Sequence, residues 1–80
     1  MRVRVKLYSI FRLRYQDYDV ERGIDVDLAP GSRLLDLFDH LQIEMRKVSM
    51  VRVNGRLNRD FCLILNDGDT LELFPLFGGG

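Results

Sequence analysis

The chain has 80 residues, 46% of them hydrophobic, with twelve basic side chains against twelve acidic ones. That length makes one domain and leaves little chain for an elaborate active site. The balanced charge argues against nucleic acid, which needs a clustered positive surface, and no apolar run approaches the roughly 18–20 residues that span a membrane.

Arg2-Val3-Arg4-Val5-Lys6-Leu7-Tyr8 alternates strictly. Period two predicts a half-buried strand with Val3, Val5 and Leu7 inward and Arg2, Arg4, Lys6 and Tyr8 outward. Alternation from the first residues also leaves no apolar stretch of the kind a signal peptide needs. Gln16 to Gly23 is polar and turn-rich. Ile24-Asp25-Val26-Asp27-Leu28 alternates again with its aspartates outward. Paired antiparallel, the two strands set a basic stripe against an acidic one. Each such pair is worth roughly 0.2–1 kcal/mol, and a slip of one residue would bury charge.

Ala29-Pro30-Gly31 breaks the pattern and Ser32 stands where an N-cap is expected. Leu34, Leu37, Phe38 and Leu41 then follow at helical spacing along one face. Asp36 sits in the early turns, where negative charge suits the helix dipole, and His40 suits the other end. The helix should fade near Gln42, with Glu44 to Ser49 as connection. Met50-Val51-Arg52-Val53 predicts a third strand, and Asn54-Gly55 is the strongest turn signal in the chain. Leu57 and Phe61 to Leu65 are weaker strand or turn material. Cys62, between Phe61 and Leu63, reads as a small buried hydrophobe. Being the only cysteine, it excludes an internal disulfide framework and a four-cysteine iron–sulfur or zinc site within one chain, and the single histidine argues the same way. A cytoplasmic location is therefore expected, since small secreted domains usually carry disulfides.

Asn66-Asp67-Gly68-Asp69 is a further turn, and Thr70 to Phe74 is the last strand. Pro75 cannot donate to a ladder, so pairing should stop or become edge-like there. Phe74 should point away from Leu71 and Leu73. It either caps the core or joins Tyr8, Leu76 and Phe77 in an exposed apolar patch of the kind that marks partner sites. The chain ends in Gly78-Gly79-Gly80. A glycine end gains nothing by packing. It is either a frayed terminus or a thread for a narrow channel, with a reach from Leu76 to Gly80 of at most about 17 Å. No carboxylate pair or nucleophile–base spacing stands out, so self-contained catalysis is not expected.

Several segments together resemble one family. Leu65-Asn66-Asp67-Gly68-Asp69, the strand after it and the terminal glycines are similar to the end of MoaD/ThiS proteins, with their L-x-D-G-D turn, apolar strand and Gly-Gly terminus. Val5-Lys6-Leu7-Tyr8-Ser9-Ile10-Phe11-Arg12 resembles the family's opening. Ala29-Pro30-Gly31-Ser32 with Leu34-Leu35-Asp36-Leu37 resembles its helix start, and Val53-Asn54-Gly55 its central turn. The element order β, β, α, β, short β, β fits the ubiquitin-like β-grasp plan, an α+β fold with a mixed sheet of four to five strands on one helix. The expected organisation is a β-grasp domain over residues 1–77 and a flexible glycine tail over 78–80.

The resemblance implies a sulfur carrier rather than an enzyme, the small subunit of molybdopterin synthase being the expected counterpart. Gly80 would be the reactive terminus, adenylated by an E1-like enzyme that uses ATP and magnesium, then converted to a thiocarboxylate by a persulfide sulfurtransferase. Gly78 and Gly79 would form the rest of the tail. Tyr8, Phe11, Phe74, Pro75, Leu76 and Phe77 are the expected partner-binding residues, and no bound cofactor or metal is expected. The acceptor would be an enzyme such as the large subunit of molybdopterin synthase, with no nucleic acid and no membrane among the partners. The single proline before the tail, Pro75, departs from the two prolines of many molybdopterin-type members, and the third glycine, Gly78, is more like several thiamin-pathway carriers, whereas chain length favours the molybdopterin side. A protein modifier joined to lysines through Gly80 and a plain interaction domain with an inert tail are the competing readings.

Overall fold

A computed structural model of the chain describes residues 1–76. The strands are β1 (Arg2–Leu7), β2 (Ile24–Asp27), β3 (Val48–Val53), β4 (Arg56–Asn58) and β5 (Thr70–Pro75), with one helix, α1 (Leu34–Leu41). They form a single sheet in the order β2-β1-β5-β3-β4. The central pair, β1 and β5, is parallel; every other pair is antiparallel.

The alternation of β1 decides which face is covered. Val3, Val5 and Leu7 are buried, and so are Val26, Val51, Leu71 and Leu73 from the neighbouring strands. The apolar stripe of α1, Leu34, Leu37, Phe38 and Leu41, closes over them. On the other face the expected charge stripes meet in register. Arg2 pairs with Asp27 at 2.9 Å and Arg4 with Asp25 at 3.3 Å.

The helix starts one residue later than the serine suggests. Arg33 is the N-cap, and the hydroxyl of Ser32 donates to the carbonyl of Ala29 at 2.7 Å. The Asp36 carboxylate accepts from the Arg33 N–H at 2.7 Å. The first free helical donors find carbonyls from a distant segment: Leu34 N–H bonds Leu63 O at 2.9 Å and Leu35 N–H bonds Phe61 O at 3.1 Å. Orphan donors of a helix start must find some partner, and a neighbouring chain segment serves here in place of a capping side chain. The helix ends as expected at Gln42, in the left-handed region at φ 57°, whose carbonyl accepts from Arg14 Nη1 at 2.8 Å.

Two further corrections concern the loops. Glu44 to Ser49 is more structured than a connection, because a 3-10 turn covers Met45–Lys47 and β3 begins at Val48. Cys62 is exposed, not buried. Phe61 and Cys62 lie in a turn closed by Leu63 N–H to Asp60 O at 3.2 Å, so the inward position falls to the Phe61 ring. That ring packs edge-on against Phe38 with centroids 5.3 Å apart.

Two turns are stitched together at one end of the sheet. Asn54-Gly55 takes positive φ at both residues, 52° and 84°, as a tight hairpin between twisted strands requires. The Asn54 side chain donates to Asp69 Oδ1 at 2.9 Å and accepts from Thr70 N–H at 2.9 Å. The other Asp69 oxygen accepts from Asn66 N–H at 2.8 Å. Gly68 N–H bonds Arg2 O and Arg4 N–H bonds Asp69 O. The Asn66–Asp69 turn therefore fixes where β5 enters between β1 and β3.

Candidate functional site: the end of strand β5 and the open sheet face

Because β1 and β5 run parallel, their C-terminal ends lie side by side. This brings Tyr8, the residue after β1, beside Phe74. The two rings are stacked, with centroids 4.4 Å apart and planes inclined by 6°. Both are half-buried, as expected for outward residues that cover each other. Phe74 is also the register partner of Met50 on β3. Tyr8, Phe74 and Met50 thus make an apolar row across three strands.

One register step back, the same face is charged. Lys6, Glu72, Arg52 and Leu57 are neighbours across β1, β5, β3 and β4. The Tyr8 hydroxyl donates to Glu72 Oε2 at 2.6 Å, and Arg52 Nε lies 3.7 Å from Glu72 Oε1. The hydrogen bond to Glu72, with burial second, pushes the Tyr8 phenol up to about 12. The ring is therefore held by Phe74 through its face and by Glu72 through its edge. Leu76 follows half-exposed, at 49%, and its N–H donates to Lys47 O at 3.0 Å.

The expected partner-binding residues divide. Tyr8 and Phe74 come together on the open face at the end of β5, and Leu76 follows in sequence, exposed. Phe11 does not join them: it is 4% exposed, turned into the core by the 3-10 segment Ser9–Arg14. Pro75 is also buried, on the inward side of β5, and it still holds a register position opposite Val48. Phe77, Gly78, Gly79 and Gly80 lie outside the described residues. Met50, Glu72 and Arg52 were not anticipated. Period two in Thr70 to Phe74 does place Glu72 on the side of Phe74, but only the β3–β5 register adds Met50 and Arg52. Among the described residues no cluster of His, Cys, Asp and Glu could hold a metal ion, and no helix is long and apolar enough to cross a membrane.

A five-stranded mixed sheet with a parallel central pair, wrapped on one helix and ending at a central strand, defines a ubiquitin-like β-grasp protein. The ThiS family model matches residues 15–80, and the chain belongs to that family, among the MoaD/ThiS-like, ubiquitin-related sulfur carriers. Solved structures share the fold. A provisionally assigned molybdopterin converting factor subunit 1 from Pyrococcus furiosus is 23% identical with a TM-score of 0.70, over 92% of this chain and 95% of its own. A complex of subunits 1 and 2 of molybdopterin-converting factor from Helicobacter pylori matches at 21% identity and TM-score 0.64, over 100% of both chains. The thiamine biosynthesis protein ThiS from Geobacter metallireducens matches at 23% and 0.64, over 100% of both. At these identities the likeness speaks for the fold. No curated protein matches the chain in sequence.

Proposed function

We propose that the chain carries sulfur on the carboxyl group of Gly80 and delivers it in molybdopterin biosynthesis. The observation that carries the sulfur-carrier part of this reading is the extent of the family match, which continues beyond β5 to Gly80, and chain length favours the molybdopterin side. In this reading residues 1–77 are the docking body and 78–80 the thread that enters partner active sites.

The chemistry follows from the carboxylate. A carboxylate is a poor electrophile, so an E1-like enzyme with ATP and magnesium would first join it to AMP, releasing pyrophosphate. A persulfide on a sulfurtransferase would then displace AMP. Cleavage of the resulting S–S bond by a second thiol would leave the thiocarboxylate on Gly80. The acceptor would be a large synthase subunit, as the subunit 1 and 2 complex from Helicobacter pylori suggests for a partner of this shape. No described side chain is asked to perform a bond-making step, and both activation steps would belong to partner enzymes in the cytoplasm. The Tyr8–Phe74–Met50 row would supply the docking surface, since a rigid, partly exposed aromatic pair desolvates at little entropic cost.

Incubation with an E1-like enzyme, ATP, magnesium and a sulfur donor should raise the protein's mass by one exchange of oxygen for sulfur. A single residue added after Gly80 should abolish the exchange, because it locks the Gly80 carboxyl in a peptide bond and carries the terminal carboxylate about 3.5 Å farther out. Unchanged mass with every activating enzyme supplied, or full exchange in the extended protein, would overturn the proposal.

Delivery to a thiamin-pathway acceptor is the second reading. It is favoured by the family model matched and by the third glycine, Gly78. Supplying the thiocarboxylated protein to each acceptor in turn separates the two.

A further inference from the structure

The pairing of β3 with β5 contains one irregularity, and it falls beside the point where the chain leaves the sheet. Met50 faces Phe74 and Val48 faces Pro75, so Ser49 is an extra residue on β3. Such bulges re-aim the local chain. Here the bulge turns the Ser49 hydroxyl onto β5. It donates to Pro75 O at 2.8 Å, with Phe74 O at 3.2 Å as a second acceptor.

The place matters because Pro75 has no N–H and removes one ladder bond from the end of β5. The Ser49 hydroxyl adds a tie where that one is missing. Immediately beyond it, Leu76 N–H bonds Lys47 O at 3.0 Å, the last backbone tie among the described residues. Four residues of sequence, Phe77 to Gly80, separate that tie from the terminal carboxylate.

The geometry points to Ser49 as a positioning residue: its hydroxyl pins the end of β5, so that the last described tie before Gly80 stays at Leu76. The consequence for activity rests on the carrier reading above. Without the pin, the tie at Leu76 opens more often, and whenever it is open the stretch of sequence between the last tie, at Phe74, and the carboxylate grows from four residues to the six of Pro75 to Gly80. Effective concentration falls roughly as the −3/2 power of tether length, so the carboxylate would reach a docked active site about half as often.

The test compares Ser49→Ala with Ser49→Thr, which keeps the hydroxyl. In the free protein, amide exchange at Leu76 should quicken by about fivefold in Ser49→Ala, as for loss of one hydrogen bond, and stay slow in Ser49→Thr. Exchange in mid-strand β1 should be the same in both, which separates a local effect from poor folding. With an activating enzyme, Ser49→Ala should lose up to about twofold in kcat for thiocarboxylation at unchanged KM, and Ser49→Thr should restore it. Unchanged Leu76 exchange in Ser49→Ala overturns the pin. Faster exchange with unchanged kcat overturns its role in positioning. If the wild-type protein is never thiocarboxylated, the carrier reading fails, and the exchange result alone decides whether Ser49 holds the strand end.

Discussion

The ring of Tyr8 lies flat against the ring of Phe74, 4.4 Å away, and its hydroxyl is fixed on Glu72 two residues before that partner. A parallel β1–β5 pair is what makes this possible, since it places the ends of the first and last strands together. One strand end thus combines a stacked aromatic pair, a charged neighbour row and the last described residues before Gly80 in sequence.

The Tyr8–Glu72 bond makes a spectroscopic prediction. The folded state holds the Tyr8 proton more tightly than the unfolded chain does, with a pKa of about 12 against about 10 for a free phenol. The stabilisation is fully present below about pH 10 and is lost as pH rises through about 12. Titration of phenolate absorbance should show one tyrosine ionising near pH 12, and Tyr8→Phe should remove that component. A wild-type curve without it would mean that the bond to Glu72 is not kept in solution.

Phe74→Ala should weaken docking more than it weakens the fold. Truncation of an aromatic anchor costs about 2 kcal/mol or more in binding, roughly a 30-fold rise in Kd. The lost stack with Tyr8 costs the fold only about 0.5–1.5 kcal/mol beyond area burial. Calorimetric titration against an activating or acceptor enzyme, beside a melting curve, checks the comparison. A variant that unfolds would place Phe74 in the core.

Asp69→Ala should cost about 1–3 kcal/mol, because it strips the acceptor from both the Asn54 amide and the Asn66 N–H in a site that is 9% exposed. Urea denaturation measures it. A loss below about 0.5 kcal/mol would mean that water replaces the carboxylate.

Leu37→Ala removes a side chain that is fully buried between α1 and the sheet. Such truncations cost about 2–5 kcal/mol, which in a domain of this size lowers Tm by roughly 10 °C or more. A shift of a degree or two would contradict the packing of the helix face.

Much of this was legible in the sequence because the signals are local. Period two fixed the inward and outward residues of β1 and β2, and the opposed charges fixed their register. The spacing of Leu34, Leu37, Phe38 and Leu41 marked the buried helix face, and Asn54-Gly55 marked its hairpin. Each depends on residues within a few positions of one another, where backbone geometry and side-chain direction are coupled. The tertiary structure decided what depends on distant chain meeting. Phe11 is apolar in a turn-like segment, and nothing local says that it folds inward. Cys62, apolar between two apolar neighbours, is exposed because the turn at Asp60–Leu63 sends Phe61 inward in its place. The start of α1 shifted past Ser32 because carbonyls of Leu63 and Phe61 reach its free N–H groups. The sequence left Phe74 between the core and a patch with Tyr8, and the parallel β1–β5 pair decided for the stack with Tyr8; Glu72 on the Tyr8 hydroxyl and Ser49 on Pro75 came only with β1, β5 and β3 side by side. A sequence pattern sets which face a residue takes, but the neighbour across that face comes from the strand order, which long-range packing alone selects.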